Sequence, residues 1–431
     1  MNIGEEIYDL CDRLFPICRS ITGNGNRKTL QIIQDNVPCE ISVHEVPTGY
    51  QAYDWEIPQE WSINDAYILD PSGNKIVDFK DSNLHVVNYS APVHQKITLE
   101  ELQEHLYSAP GYPDAIPYVT SYYNRRWGFC LEHEKREKLQ DGEYTVFIDS
   151  ELKDGFLTYG EVIIPGETNE EVFLTTYICH PSMANNECSG PAVVTYLIKW
   201  LLEQNRRYTY RVVFAPETIG AITYISKNYD TLKENIIAGF NVTCIGDNNN
   251  YSFMPSRLGG TLTDKVAKHV LDNFTDSYNE YSFLQKGSDE RQYCHPNVDL
   301  PLVTIMRSKY GTYPEYHTSK DNMDFISPEG LFGGYNIVKS CIEALESNYV
   351  YKSAVICEPK LSKRNMVPKD WHKRRTGGDQ KSRYDLINMM NALFYCDGNH
   401  DVVDVANVLS IDFRQCMEYI DALRDNEIIK K

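Results

Sequence analysis

Apolar residues recur at Ile3, Ile7, Leu10 and Leu14, spacings of three and four that predict a helix over residues 2–15. The Gly- and Asn-rich stretch Arg19–Asn26 then predicts a loop, with a second helix over Thr29–Ile33. From Glu45 to Leu139 the texture changes to short strand-type runs, Ala66–Leu69, Lys75–Phe79 and Leu84–Tyr89, broken by Pro and Gly; this predicts a small β-rich unit. Strand signals resume at Tyr144–Ile148 and Glu161–Ile164. They continue at Val172–Ile178, Tyr210–Ala215, Ala238–Thr243 and Leu302–Met306, alternating with helical patterns over 190–204, 221–235, 262–273 and 328–347. Such alternation predicts an α/β layer with a mostly parallel sheet.

Between Lys360 and Arg383, nine Lys or Arg stand against Asp370 and Asp379, the composition of a linker or exposed arm. Beyond it, Tyr384–Tyr395, Asp401–Leu409 and Asp412–Leu423 are amphipathic, the last with a buried stripe at Phe413, Cys416, Met417, Ile420 and Leu423. Three short helices followed by Glu427-Ile-Ile suggest a winged-helix module. Its third segment carries Asp412, Glu418, Asp421 and Asp425 against Arg414 and Arg424, a poor balance for phosphate contacts, so docking or packing against protein is the better expectation.

Composition narrows the function classes. A chain of 431 residues exceeds one ordinary core and predicts two or three domains. The formal charge of −19 disfavours a nucleic acid or an anionic membrane as the main partner and favours small molecules or peptides. No apolar run approaches eighteen residues, and acids stand where a signal peptide needs basic residues, so a cytoplasmic protein without membrane segments is expected. Twelve Cys without CxxC spacing read as reduced thiols. An acidic surface rich in Tyr would tolerate a homodimer. Tyr122, Tyr123 and Trp127 lie close together, as core residues or as a ligand wall, with core favoured.

Ligand-binding loops of an open α/β sheet gather at strand ends. Four such ends carry chemistry: Cys179-His180 through Asn185-Asn186-Glu187 to Gly190, Pro216-Glu217, Gly246-Asp247, and Glu315-Tyr316-His317-Thr318 to Asp321. Imidazoles and carboxylates are what a Zn²⁺ hydrolase needs as ligands and general base. Each also has a plain structural reading: His180 and His317 as hydrogen-bonded loop residues, Glu217 as a helix cap, Asp247 as the start of a turn. The chain holds no GxSxG, GxxxxGKS, GxGxxG or HExxH, so serine-nucleophile chemistry and nucleotide binding fall away.

The segment Val172–Gly190, together with Glu217 and Tyr316–Asp321, resembles the zinc aminopeptidases of the bacterial leucyl aminopeptidase type, whose last ligand lies in a Tyr-His-Thr-x-x-Asp motif. The whole chain resembles the family labelled polysaccharide biosynthesis proteins with an aminopeptidase-like domain. Its hallmarks here are Arg19-Ser-Ile-Thr-Gly, Pro47-Thr-Gly-Tyr-Gln, Asp54-Trp-Glu-Ile-Pro, Asn83–Ser90, Trp127-Gly-Phe-Cys and Cys179–Asn185. The resemblance implies a zinc-aminopeptidase-like, mostly parallel sheet sandwiched by helices over 1–44 and 140–355. It further implies an inserted β-rich domain over 45–139, a basic linker over 356–383 and a winged helix over 384–431.

Against the aminopeptidase pattern, Ser182 replaces an orienting Asp, Asn186 the bridging Asp and Thr243 a further Asp, while Thr218 falls on the second-ligand Glu. The resemblance therefore implies one Zn²⁺ rather than two, held by His180, Glu187 and His317, with Asn186 and Asp247 as further candidates. Glu217 is then the general base, and Asp289, Glu290 and Tyr316 face substrate or support the site. The expected activity is metal-dependent hydrolysis of an amide bond in a small peptide. The alternatives are removal of an acyl group from an amino-modified glycan, and an inactive scaffold that binds carbohydrate or peptide. All of these metal readings require two imidazoles, 137 positions apart, to converge.

Overall fold

The structure, a computed structural model, describes residues 2–367 and 380–431. Two compact units divide the chain, one of Met1–Thr263 with Asn279–Asn336 and one of Asp264–Tyr278 with Ile337–Lys431.

In the first unit, the strand Glu171–Tyr177 is buried at every position and runs parallel to Thr209–Ala215 on one side and to Ile236–Val242 on the other. A strand with no exposed face belongs in the middle of a covered parallel sheet. Leu302–Met306 continues the parallel layer beside Ile236–Val242. Edge strands are antiparallel: Ser42–Pro47 pairs with Phe156–Ile164, which pairs with Thr209–Ala215, and Tyr251–Met254 pairs with Leu302–Met306. Tyr278–Glu280 closes the eighth position. The helix Ser189–Leu202 follows its strand after the loop and turn of residues 178–188, and Ile219–Asn235 follows its strand after a short loop, as the alternation predicted. At Gly190 an added Cβ would lie 2.4 Å from Thr176 Oγ1 and 2.5 Å from the Val242 carbonyl oxygen, so only glycine lets this helix start against the sheet.

A separate four-stranded antiparallel sheet runs in the order Lys75–Asp78, Glu60–Leu69, Glu143–Lys153, Val93–Thr98. In Glu143–Lys153 the buried positions Tyr144, Val146, Ile148 and Ser150 alternate with more exposed ones, the period of a half-covered strand. That strand was expected in the large layer; it pairs with Glu60–Leu69 instead, so the β-rich insertion extends to about residue 153. Leu84–Tyr89, expected as a strand, holds a 3₁₀ turn at Asn83–His85 and isolated bridges. The second helix starts earlier than predicted, at Asn24, because Gly25 packs where a Cβ would meet the Cys18 carbonyl at 2.3 Å; the glycine serves close contact rather than a break.

In the second unit, helices Gln380–Tyr395, Val402–Leu409 and Phe413–Asp425 accompany a three-stranded sheet of Asp397–Asp401, Val350–Ser353 and Ile429–Lys430. Residues 350–353 were expected within the aminopeptidase-like domain; as the strand Val350–Ser353 they pair with Asp397–Asp401 and Ile429–Lys430 instead, so the winged helix begins earlier in sequence than 384. Arg414 pairs with Asp412 and Glu343, and Arg424 with Asp421 and Asp425. Of the basic stretch expected as a linker, residues 368–379 lie outside the described residues. Among the described residues no helix is long and apolar enough to cross a membrane.

Candidate active site

His180 stands three residues beyond the end of the central strand, on a loop that is buried throughout and then winds into a π-helical turn, Ala184–Cys188. That turn brings Glu187 back onto the imidazole: Nδ1 lies 2.9 Å from Glu187 Oε2. A carboxylate accepts only, so Nδ1 carries the proton and the lone pair is left on Nε2. Nε2 lies 3.8 Å from Glu217 Oε2, which the neighbouring parallel strand delivers two residues past its end. Burial works against a charged His180, yet the Glu187 hydrogen bond, with the Glu187 and Glu217 charges, outweighs it and raises its proton affinity.

Arg19 fixes this arrangement from behind. It is 1% exposed; its Nε donates to the His180 carbonyl at 2.8 Å, its Nη1 donates to the Leu14 carbonyl at 2.8 Å, and its guanidinium lies 3.3 Å from Glu187 Oε1. Among the described residues, the metal-ligand atoms lying within 4.8 Å of one another belong to Cys179, His180 and Glu187. The guanidinium already supplies the cation on that side, and the three are joined by hydrogen bonds to Nδ1.

The other imidazole arrives from the loop after Leu302–Met306. His317 has φ +56°, its ring is stacked on Tyr316 at 3.9 Å, and its centroid is 5.3 Å from that of His180. Its Nε2 is buried without a hydrogen-bond partner. Burial first, and the nearby His180 second, hold its pKa down to about 3, so the ring is neutral and its lone pair is available. With Zn–N bonds of about 2.0–2.1 Å, two imidazoles on one tetrahedral ion have centroids roughly 5 Å apart, which the observed spacing matches. The spacing therefore admits a single ion between the two imidazoles, while His180, His317 and Glu217 do not form a group of three ligand atoms within 4.8 Å of one another.

They do not fit a second ion at Asn186 and Thr243. There the Tyr177 hydroxyl bonds to Thr243 Oγ1 and accepts from Asn186 Nδ2 at 2.7 Å, a neutral network in the place of carboxylates. Asp247 accepts from Asn185, Asn249 and Ser308, so its carboxylate is engaged in joining its own loop to those of Asn185 and Ser308. Glu290 is likewise engaged, by the amides of Gly287 and Ser288, by Tyr310 and by Asn241. Asp289 accepts from the Thr218 amide at 2.7 Å; burial and then the Glu217 charge push its carboxyl well up. Glu217 is also raised, chiefly by burial.

The insertion contributes the wall. Tyr118 packs against both imidazoles, with centroids 5.2 Å from His180 and 5.1 Å from His317, and its amide donates to the His317 carbonyl at 2.8 Å. Its hydroxyl bonds to that of Tyr122 at 2.7 Å. Tyr122, Tyr123 and Trp55 line a 280 Å³ pocket over His180 and Glu217. Nothing in the sequence marks Tyr118, and Arg19 stands out there only as part of a motif.

The profile of a domain of unknown function, DUF4910, matches residues 8–348, and a winged helix-turn-helix profile matches 349–431. The chain belongs to the DUF4910 family. A Clostridium acetobutylicum protein named as a polysaccharide biosynthesis protein with an aminopeptidase-like domain is 44% identical over 428 residues, 99% of this chain and 96% of that one. The crystal structure of a peptidase so described from the same organism superposes with a TM-score of 0.92 at 43% identity, again over 99% and 96%. The zinc aminopeptidase BSAP from Bacillus subtilis superposes with a TM-score of 0.58 at 13% identity, over 79% of this chain and 94% of that one. In this DUF4910 chain, then, an aminopeptidase fold with a β-rich insertion is followed by a winged helix.

Proposed function

We propose that this chain hydrolyses an amide bond with the aid of one divalent ion, zinc by preference. The observation that carries the reading is the 5.3 Å approach of the His180 and His317 rings, with Glu217 3.8 Å from His180 Nε2 and the Nε2 of His317 left without a hydrogen-bond partner. His180 and His317 would hold the ion, which supplies Lewis-acid polarisation and a water acidified toward neutral pH. Glu187 and Arg19 orient His180 through Nδ1 and the backbone carbonyl, as the carboxylate partner of a ligand imidazole does. Glu217, whose burial raises its proton affinity, accepts the proton of the attacking water and passes it to the leaving amine. The rings of Tyr118, Tyr122 and Trp55 shield the reacting carbonyl from bulk water.

The aminopeptidase-like fold and the naming of its relatives support a small peptide or an amino-modified glycan as substrate. Twelve free cysteines support a reducing, cytoplasmic setting. The paired arginines of the last helix support a winged helix that docks protein rather than nucleic acid. The test is elemental analysis of protein purified without chelator, followed by turnover of a peptide library before and after chelation, for the parent and Glu217→Gln. Loss of turnover on chelation and in Glu217→Gln is expected. Metal-free protein with no turnover in Zn²⁺, Mn²⁺ or Co²⁺ would refute the proposal.

A further inference from the structure

A second cavity, of 580 Å³, lies beside the catalytic pocket, and Trp55 lines both. Its volume is that of a small-molecule site. Three of its lining residues are large aromatics left open to solvent: Tyr53 at 57% exposure, Trp55 at 40% and Tyr229 at 37%. Rings of this size are normally packed, so their gathering around one cavity calls for an occupant.

The backbone points the same way. Gln51–Ala52 and Trp55–Glu56 form a hairpin in which Ala52 faces Trp55, leaving Tyr53 and Asp54 as its two-residue turn. Tyr53 has φ +54°, at the turn position where glycine is preferred. A tyrosine held in a left-handed conformation with more than half of its surface exposed gains little packing to offset the strain, and such strain persists where it serves a site. Gln51 Nε2 braces the turn by donating to the Tyr53 carbonyl at 2.9 Å, while Trp55 rests edge-on against Tyr123 at 5.8 Å. Opposite, the Tyr229 hydroxyl donates to the Asn297 carbonyl at 2.7 Å, which fixes that ring against the far wall.

Around these rings stand hydrogen-bonding groups of Asp54, Gln292 and His295. A purely apolar occupant, such as a peptide side chain, would desolvate them without partners and bind poorly. A pyranose ring satisfies both demands, because its C–H face lies on the negative face of an aromatic ring while its equatorial hydroxyls meet the polar rim.

We infer that the cavity of Tyr53, Trp55 and Tyr229 binds a saccharide ring and delivers an amide-bearing glycan, such as an N-acylated amino sugar, to the adjacent pocket. The binding half stands on the cavity alone; the delivery half rests on the proposed hydrolase. The experiment is saturation-transfer NMR and titration of the full-length Glu217→Gln protein with N,N′-diacetylchitobiose, with a Leu-Phe dipeptide as competitor. Saturation of the sugar C–H protons is expected, with affinity weakened roughly tenfold in Tyr53→Gly and in Trp55→Ala. Tyr53→Gly relieves the turn and should unfold at the same temperature as the parent or a higher one, which separates lost binding from lost folding. No transfer at millimolar sugar, full displacement by the dipeptide, or unchanged affinity in both variants would overturn the assignment. Sugar binding without amide turnover by the metal-loaded parent would keep the cavity's role and reject the hydrolase. Peptide turnover without sugar binding would do the reverse.

Discussion

Replacing Arg19 with Met removes a side chain that ties the first helix, the His180 loop and Glu187 together. The parent guanidinium makes two bonds of 2.8 Å, to the carbonyls of His180 and Leu14, and pairs with Glu187 at 3.3 Å, with both side chains 1% exposed. Each orphaned carbonyl costs about 1–3 kcal/mol. Breaking a buried ion pair from one side costs about 3–5 kcal/mol, since a charge is left without its partner. All of these pass through one side chain and do not add fully, so a net loss of about 4–6 kcal/mol is expected. For a unit of this size that lowers the melting temperature by roughly 6–9 °C, measurable by tryptophan fluorescence. Adding Glu187→Gln removes the stranded charge while an amide oxygen still accepts from His180 Nδ1, so the double variant should recover about 2–3 kcal/mol over Arg19→Met. A fall below about 2 °C, or a double variant no more stable than Arg19→Met, would refute the view that this ion pair holds the site.

Gly190→Ala should cost about 1–3 kcal/mol in thermal unfolding, because its Cβ would press on Thr176 and on the Val242 backbone; a neutral result would show that the helix can shift. Asp321→Ala removes acceptors from the amides of Asn185, at 2.6 Å, and Asn186, at 2.9 Å, the bonds that join the His317 loop to the turn after His180. A loss of about 2–4 kcal/mol is expected in chemical denaturation, and an unchanged midpoint would contradict the link. His85 is kept neutral chiefly by burial, which lowers its pKa, while Nδ1 bonds to the Cys130 carbonyl at 2.8 Å, with Glu132, Lys135 and Asp81 nearby. The unfolded chain then binds the extra proton first, so this contribution is present above about pH 6.5 and is lost as pH falls below it. Melting curves across that range should slope less in His85→Gln, and equal slopes would argue against the assignment.

Much of the site could be read along the chain because strand ends are marked locally. Val172–Ile178 and Tyr210–Ala215 are apolar runs that stop at His180 and Glu217, and parallel pairing places those ends side by side. The partner of His180 Nδ1 was less legible: Glu187 offers the same carboxylate as any ligand, and only the π-helical turn shows which nitrogen it meets. Tyr118 left no signal, since its role depends on where the insertion folds.

Local periodicity and turn chemistry thus determined the α/β alternation, the existence of a β-rich insertion and the helical tail, because each is written in spacings of two to four residues. Tertiary structure alone decided that Glu143–Lys153 joins the insertion, that Val350–Ser353 joins the winged helix, and that Arg19, Tyr118 and His317 close around His180. Those are contacts between segments up to hundreds of residues apart, set by which surfaces bury one another, and no local pattern encodes them.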